Sequence, residues 1–359
     1  MGAFGLRPHP ALNFSSRIMY DQNGRTSQAA AGYRRSHCRR VQRSVDEAAK
    51  GIADAQYNLA VLYHHGQGVP RNFPQAIRYY KLAAEQNYAE AQFNLGLMCE
   101  KGQGASEDYA QALTWYKLAA GHKHIGAQLN LGALFEQGKG PKQDYQEAMR
   151  WYKLASDRGN AGAKFAIGCM YENHHGVEQD FAAAMAWYKL AAGLKHVDAH
   201  VKLGMLYENG MGARQDYAEA MRWYKASAVS GSDPGRLHVG SLYENGLGLK
   251  QDYQEALRWY KTAADNGNAD AQARMGFMYS NAKGVKQDYH ESMRWYQLAA
   301  AQDHAGALSN LGFMHQHGQG VEENEARALT FYAKAAKKGD QNAIKNRDML
   351  EARIAAKKP

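Results

Sequence analysis

His196 and His200 stand four residues apart, a spacing that on a helix would aim two imidazoles at one metal ion. Residue 197, where a zinc protease of the His-Glu-x-x-His pattern carries its general base, is Val, and His196 reads as part of a turn. His64-His65 and His174-His175 also fall in loop segments, where exposed imidazoles are ordinary. Ser280-Asn281-Ala282-Lys283 matches the Ser-x-x-Lys arrangement in which an amine activates a serine hydroxyl, yet no Ser-Asp-Asn or Lys-Thr-Gly accompanies it. Gly-x-Gly pairs such as Gly138 and Gly140 follow a helical pattern rather than a strand, so they read as helix stops and not as phosphate cradles. Cys38, Cys99 and Cys169 are odd in number and unrelated in spacing, which makes neither a disulfide framework nor a metal quartet. We therefore expect no catalytic residues, no metal and no cofactor, and look for a function carried by a surface.

The net charge of +9 suggests a polyanion-binding protein until it is split by region. Residues 1–43 carry a surplus of +7 and residues 337–359 a surplus of +4, which leaves −2 of the total for residues 44–336. Nucleic-acid binding through the middle of the chain is disfavoured; an Arg-rich arm with Arg34, Arg35, Arg39, Arg40 and Arg43 could still meet phosphate. Residues 1–36 show no period and read as a disordered basic arm. Its Arg- and Ser-containing, acid-poor composition suits a mitochondrial transit peptide or a solvated tail, and lacks the apolar core of a secretory signal. No apolar run approaches the ~20 residues of a membrane span. A soluble, cytoplasmic monomer is expected, with the mitochondrion left open.

What must position any such surface is a repeat. The aromatic pairs Tyr79-Tyr80, Trp115-Tyr116, Trp151-Tyr152, Trp187-Tyr188, Trp223-Tyr224, Trp259-Tyr260, Trp295-Tyr296 and Phe331-Tyr332 recur every 36 residues without insertion or deletion. Full units start at residues 53, 89, 125, 161, 197, 233, 269 and 305 and end at 340. In each, one apolar set at i, i+4, i+7, i+8 (Ala127, Leu131, Leu134, Phe135) marks a helix A that stops at a Gly. An Asp such as Asp144 then caps helix B, which buries Ala148, Tyr152 and Ala155. Gly132, Gly168, Gly204, Gly240, Gly276 and Gly312 inside helix A each lower helix propensity by up to ~1 kcal/mol, which implies close helix approach. Residues 37–52 fall into phase with a second half-unit and read as an N-terminal capping helix. Residues 341–359 begin in phase with helix A but turn polar at Arg347, Asp348 and Glu351, as a C-terminal cap and basic tail require. The fold class expected is all-α, an α/α solenoid of eight helix-turn-helix repeats capped at both ends.

The unit, carried by Ala127, Leu131, Gly132, Phe135, Gly138, Gly140, Asp144, Ala148, Trp151, Tyr152, Ala155 and Gly159 and their equivalents, resembles the Sel1-like repeat, a relative of the tetratricopeptide repeat. The resemblance implies a right-handed superhelix with helix A on its inner surface, acting as a protein-binding adaptor. Some relatives carry a β-lactamase description, so a hydrolase is kept as the alternative, with a tether through the Arg arm as a third reading. Two departures stand out: Asp233-Pro234-Gly235, where Gly235 removes a packing methyl and local loosening is expected, and Ser280-Asn281-Ala282.

Specificity should lie where units differ. Tyr57, Phe93, Leu129 and Phe165 head one helix A column, and Leu97, Met205, Phe277 and Phe313 belong to another four residues later. Beside them runs a polar column of Asn58, Asn94, Asn130 and Asn310, broken by Lys202, His238 and Arg274. These residues are the candidate groove for a peptide or protein partner; packing against the next repeat is the competing explanation for the two apolar columns, and a solvated helix face for the polar one. The column Glu100, Glu136, Glu172, Glu208 and Glu244 lies near the end of helix A, where its charge is unfavourable to the helix dipole, and so suggests a packing or partner role. Glu147-Arg150 and its equivalents on helix B read as surface pairs.

Overall fold

The computed structural model describes residues 41–356, and every regular element among them is helical. The arm, Cys38, Arg34, Arg35, Arg39, Arg40 and the last three residues of the tail lie outside the described residues. The helices are α1 (41–49), α2 (Ala53–His65), α3 (Phe73–Ala84), α4 (Ala89–Glu100), α5 (Tyr109–Gly121), α6 (Ile125–Gln137), α7 (Tyr145–Ser156), α8 (Ala161–Glu172), α9 (Phe181–Gly193), α10 (Val197–Asn209), α11 (Tyr217–Val229), α12 (Asp233–Asn245), α13 (Tyr253–Asp265), α14 (Ala269–Ser280), α15 (Tyr289–Ala301), α16 (Ala305–His317), α17 (Glu325–Lys337) and α18 (Gln341–Ala356). Even-numbered helices α2 to α16 are helix A of a repeat and odd-numbered α3 to α17 are helix B. The chain divides into two compact units. One ends at Leu134 and takes in Gly138–Lys142; the other comprises Phe135–Gln137 and runs on from Gln143.

In the first unit, Val41 and Ala48 of α1 bury into the same cluster as Leu59, Tyr80 and Leu95. Gly96 of α4 faces Tyr116 of α5 so closely that an added Cβ would lie 2.4 Å from the ring. That distance is the physical reason for the helix A glycine.

In the second unit, α7 shows how each helix B begins. The Asp144 carboxylate accepts hydrogen bonds from the Gln146 and Glu147 amides at 2.9 and 3.0 Å, and Ala148, Tyr152 and Ala155 turn inward. Helix A is capped at the same offset by other residue types: Asn160, Ser232, Asn268 and His304 accept from the amide three residues on. At its other end, Gly210 takes φ +67° and its amide closes on the Leu206 carbonyl. Gly204 repeats the close approach, its would-be Cβ 2.4 Å from the Tyr224 ring. Ala343 and Leu350 of α18 bury against Tyr332, and the polar Asp348 and Glu351 stay outside.

The departures behave unequally. Pro234 occupies the first turn of α12, where no amide partner is lost. The loosening expected at Gly235 does not occur, because the preceding helix approaches more closely there. A Cβ added at Gly235 would come within 2.8 Å of the Ser227 Cβ and of the Ala228 backbone nitrogen as well. In the seventh repeat Ala282 adopts φ +54°, the left-handed region that Gly210 and Gly318 occupy in other units.

Candidate functional site

The helix A face is knitted together by a register of side chains. Each helix B tyrosine is buried and reaches the residue sixteen positions earlier, at the end of helix A. Tyr116 donates to Glu100 at 2.5 Å, Tyr152 to Glu136 at 2.6 Å, Tyr224 to Glu208 at 2.5 Å and Tyr260 to Glu244 at 2.7 Å. Tyr188 donates to Glu172, and Tyr332 to Gln316 at 2.8 Å. Burial above all, and then the carboxylate, pushes these Glu-paired phenols above their ordinary range. The Glu column is therefore a set of tyrosine acceptors.

The polar column supplies the next repeat's side of the seam. Asn130 donates to the Tyr116 hydroxyl at 3.0 Å, and Asn94 reaches the Tyr57 hydroxyl at 3.5 Å. Lys202 pairs with Glu172 at 2.8 Å. His238 stacks on Tyr224 with ring centroids 4.4 Å apart, and Arg274 stands 3.9 Å from Glu244. Asn58 and Asn310 instead bond within their own helices, to Asp54 and to the Gly306 carbonyl.

The first aromatic column meets the start of the following helix A. Tyr57 packs on Tyr88, Phe93 stacks on His124 at 4.4 Å, and Phe165 stacks on His196 at 4.5 Å. Burial lowers the His124, His196 and His238 imidazoles below their ordinary range. Leu97 and Leu129 are half-buried, and Phe277 lies under the Lys283 ammonium. Of the candidates, Asn58, Met205, Arg274, Asn310 and Phe313 remain exposed, with Phe313 at 42% and Met205 at 36%. Most of the aromatic and polar candidates thus converge on inter-repeat seams, and solvent reaches the set at Met205 and Phe313 of the second column and at Asn58, Arg274 and Asn310 of the polar one.

The remaining chemistry-bearing residues are engaged locally. His200 donates from Nδ1 to the His196 carbonyl at 3.0 Å, while the His196 ring stacks on Phe165. No group of three metal-ligating side chains occurs among the described residues. Ser280 donates to the Phe277 carbonyl at 3.0 Å, and Lys283 lies over the Tyr253 and Phe277 rings. Burial raises the Cys99 and Cys169 thiols, and the Cys169 sulfur lies 3.3 Å from the Tyr188 hydroxyl. The Glu147–Arg150 pair and its equivalents form as exposed bonds. No described helix is long and apolar enough to cross a membrane.

Sequence reasoning missed the Tyr–Glu pairs and the Phe–His stacks. Their signal was a constant offset between columns, sixteen residues for the first and thirty-one for the second.

A model of the Sel1 repeat matches residues 53–88, 89–124, 125–160, 161–196, 197–232, 235–268, 269–304 and 305–340. Among solved structures, a protective antigen present in uropathogenic Escherichia coli strains, displaying an SLR fold, is 32% identical. That match covers 88% of this chain and 68% of the other, with a TM-score of 0.71. A Sel1 repeat protein from Oxalobacter formigenes is 28% identical, with 86% of this chain and 89% of the other covered and a TM-score of 0.65. No curated protein sequence is similar enough to count as a relative.

Proposed function

The chain belongs to the Sel1 repeat family, and from that premise we propose that it is a non-enzymatic scaffold that holds a peptide or protein partner on the helix A face of its repeats. The observation that carries this reading is the exposure of Met205, Arg274, Asn310 and Phe313 at positions of that face in the second unit. Phe313 beside the Asn310 amide, and Met205 beside Lys202, combine apolar and polar groups of the kind that a protein partner covers. The seams beneath tie neighbouring repeats through side-chain bonds such as Lys202–Glu172, which favours a face formed before binding.

The test is photo-crosslinking with a benzophenone amino acid placed at position 205 or 313, in parallel with position 150 on the exposed face of helix B. One discrete adduct from 205 and 313 and none from 150 is the expected result. Equal adducts from all three positions, or adducts from 150 alone, would remove the helix A face from the account.

A further inference from the structure

The Glu column is broken at Ser280. Where it carries Glu100, Glu136, Glu172, Glu208 or Glu244, the tyrosine sixteen residues later donates to the carboxylate. Two further positions in the next repeat reach the same spot. Thirty residues on, Lys202 bonds Glu172 at 2.8 Å. Thirty-nine residues on, His175 meets Glu136 at 3.3 Å and Gln103 meets His64 at 2.9 Å.

At Ser280 those three partners are Tyr296, Asn310 and Gln319. All three line a cavity of about 440 Å³, together with Phe277, Phe313 and Met314. The serine reaches the Tyr296 phenol but is too short to fill the cavity, and its hydroxyl donates back to the Phe277 carbonyl and accepts from Asn281 at 2.8 Å. No residue lining the cavity is charged. Arg274 acts electrostatically on the Tyr296 phenol, and the Lys283 ammonium sits 5.1 Å from the centre of the Phe277 ring.

We propose that this cavity binds the carboxylate of an acidic side chain from a protein partner, which takes the place that the column's own Glu takes in other repeats. The proposal rests on the scaffold reading above and names the chemistry of one contact within it. Tyr296 would donate its hydroxyl, Asn310 and Gln319 would offer amide N–H groups, and Phe277 and Phe313 would flank the methylenes. An uncharged glutamine side chain offers weaker hydrogen bonds to these donors than a carboxylate does.

The test uses the full chain labelled with methyl-13C methionine and follows the Met314 methyl signal, assigned by Met314→Leu. N-Acetylglutamate N-methylamide, whose only carboxylate is on the side chain, should move the signal saturably. The glutamine counterpart should bind at least fivefold more weakly, and N-acetylalanine, which carries only a main-chain carboxylate, should do the same. Ser280→Glu, which restores the pattern, should abolish the response with its helical circular dichroism intact; Tyr296→Phe, which removes only the hydroxyl, should weaken it severalfold. No saturable movement, equal response to the glutamine compound or to N-acetylalanine, or unchanged binding by a folded Ser280→Glu protein would overturn the proposal. Such a failure would leave the scaffold reading standing, because crosslinking from positions 205 and 313 tests that separately.

Discussion

Tyr152 donates its buried hydroxyl to Glu136 at 2.6 Å, and Glu136 in turn meets His175 of the next repeat at 3.3 Å. One carboxylate thus ties helix A to its own helix B and to the following unit. Removing the hydroxyl alone, by Tyr152→Phe, leaves the ring in place and a charged acceptor short of a partner. A hydrogen bond to a charged group contributes about 1.5–3 kcal/mol, so a loss near the lower end of that range is expected in urea unfolding. An unchanged midpoint would mean that the pair is replaced by water at no cost.

The helix A glycine presents a competition of known sign. Gly204→Ala gains up to ~1 kcal/mol of helix propensity, but its Cβ would lie 2.4 Å from the Tyr224 ring, and overpacking of this kind costs about 1–3 kcal/mol. Net destabilisation is expected in thermal unfolding. Gly121→Ala, at a helix position with nothing within 4 Å, should show the propensity gain alone.

Gly235 and Ser227 share one space, so their effects should not add. Gly235→Ala alone should destabilise by about 1–3 kcal/mol through overpacking. In the Gly235→Ala, Ser227→Ala double variant only the contact with the Ser227 Oγ is relieved, while those with the Cβ at 227 and the Ala228 nitrogen remain, so a coupling of about 0.5 kcal/mol should return only part of that loss. Additive effects in a double-mutant cycle would show that the two sites repack independently.

Burial holds His64, His124, His196, His238 and His315 below the ordinary value of 6.5. The folded chain therefore binds fewer protons at these sites than the unfolded chain in the window between their folded values and 6.5. Their contribution to stability is full above about pH 6.5 and is lost as pH falls through that window. The melting temperature should drop between pH 7.5 and 5.5. His124→Asn, which copies the Asn160 cap, should flatten that slope even if the loss of the Phe93 stack lowers stability at pH 7.5. An unchanged slope would assign the acid sensitivity to other groups.

The repeat was legible because eight copies agree at a dozen positions, and the glycine and tyrosine columns already implied close helix approach. Within the face, the same agreement hid the division of labour. Phe93 and Phe165 read as groove residues, but their partners His124 and His196 lie thirty-one residues later, beyond the reach of any local pattern. Gly235 read as a defect because its compensation, a closer approach of the backbone at Ser227 and Ala228 in the preceding helix, has no local sequence sign. Met205 and Phe313 differ from their column neighbours in exposure, which depends on the packing around each repeat and has no sequence signature.

The central claim is that a partner is held on the helix A face of the second unit. Its most direct test is affinity capture from the native source, with full-length protein, a Met205→Glu, Phe313→Glu variant and an Arg150→Glu, Arg222→Glu control on helix B, all checked for helical circular dichroism. Recovery of a partner with the unaltered and control proteins, reduced at least tenfold with the Met205→Glu, Phe313→Glu variant, is the predicted result. Equal recovery with all three folded proteins would contradict it.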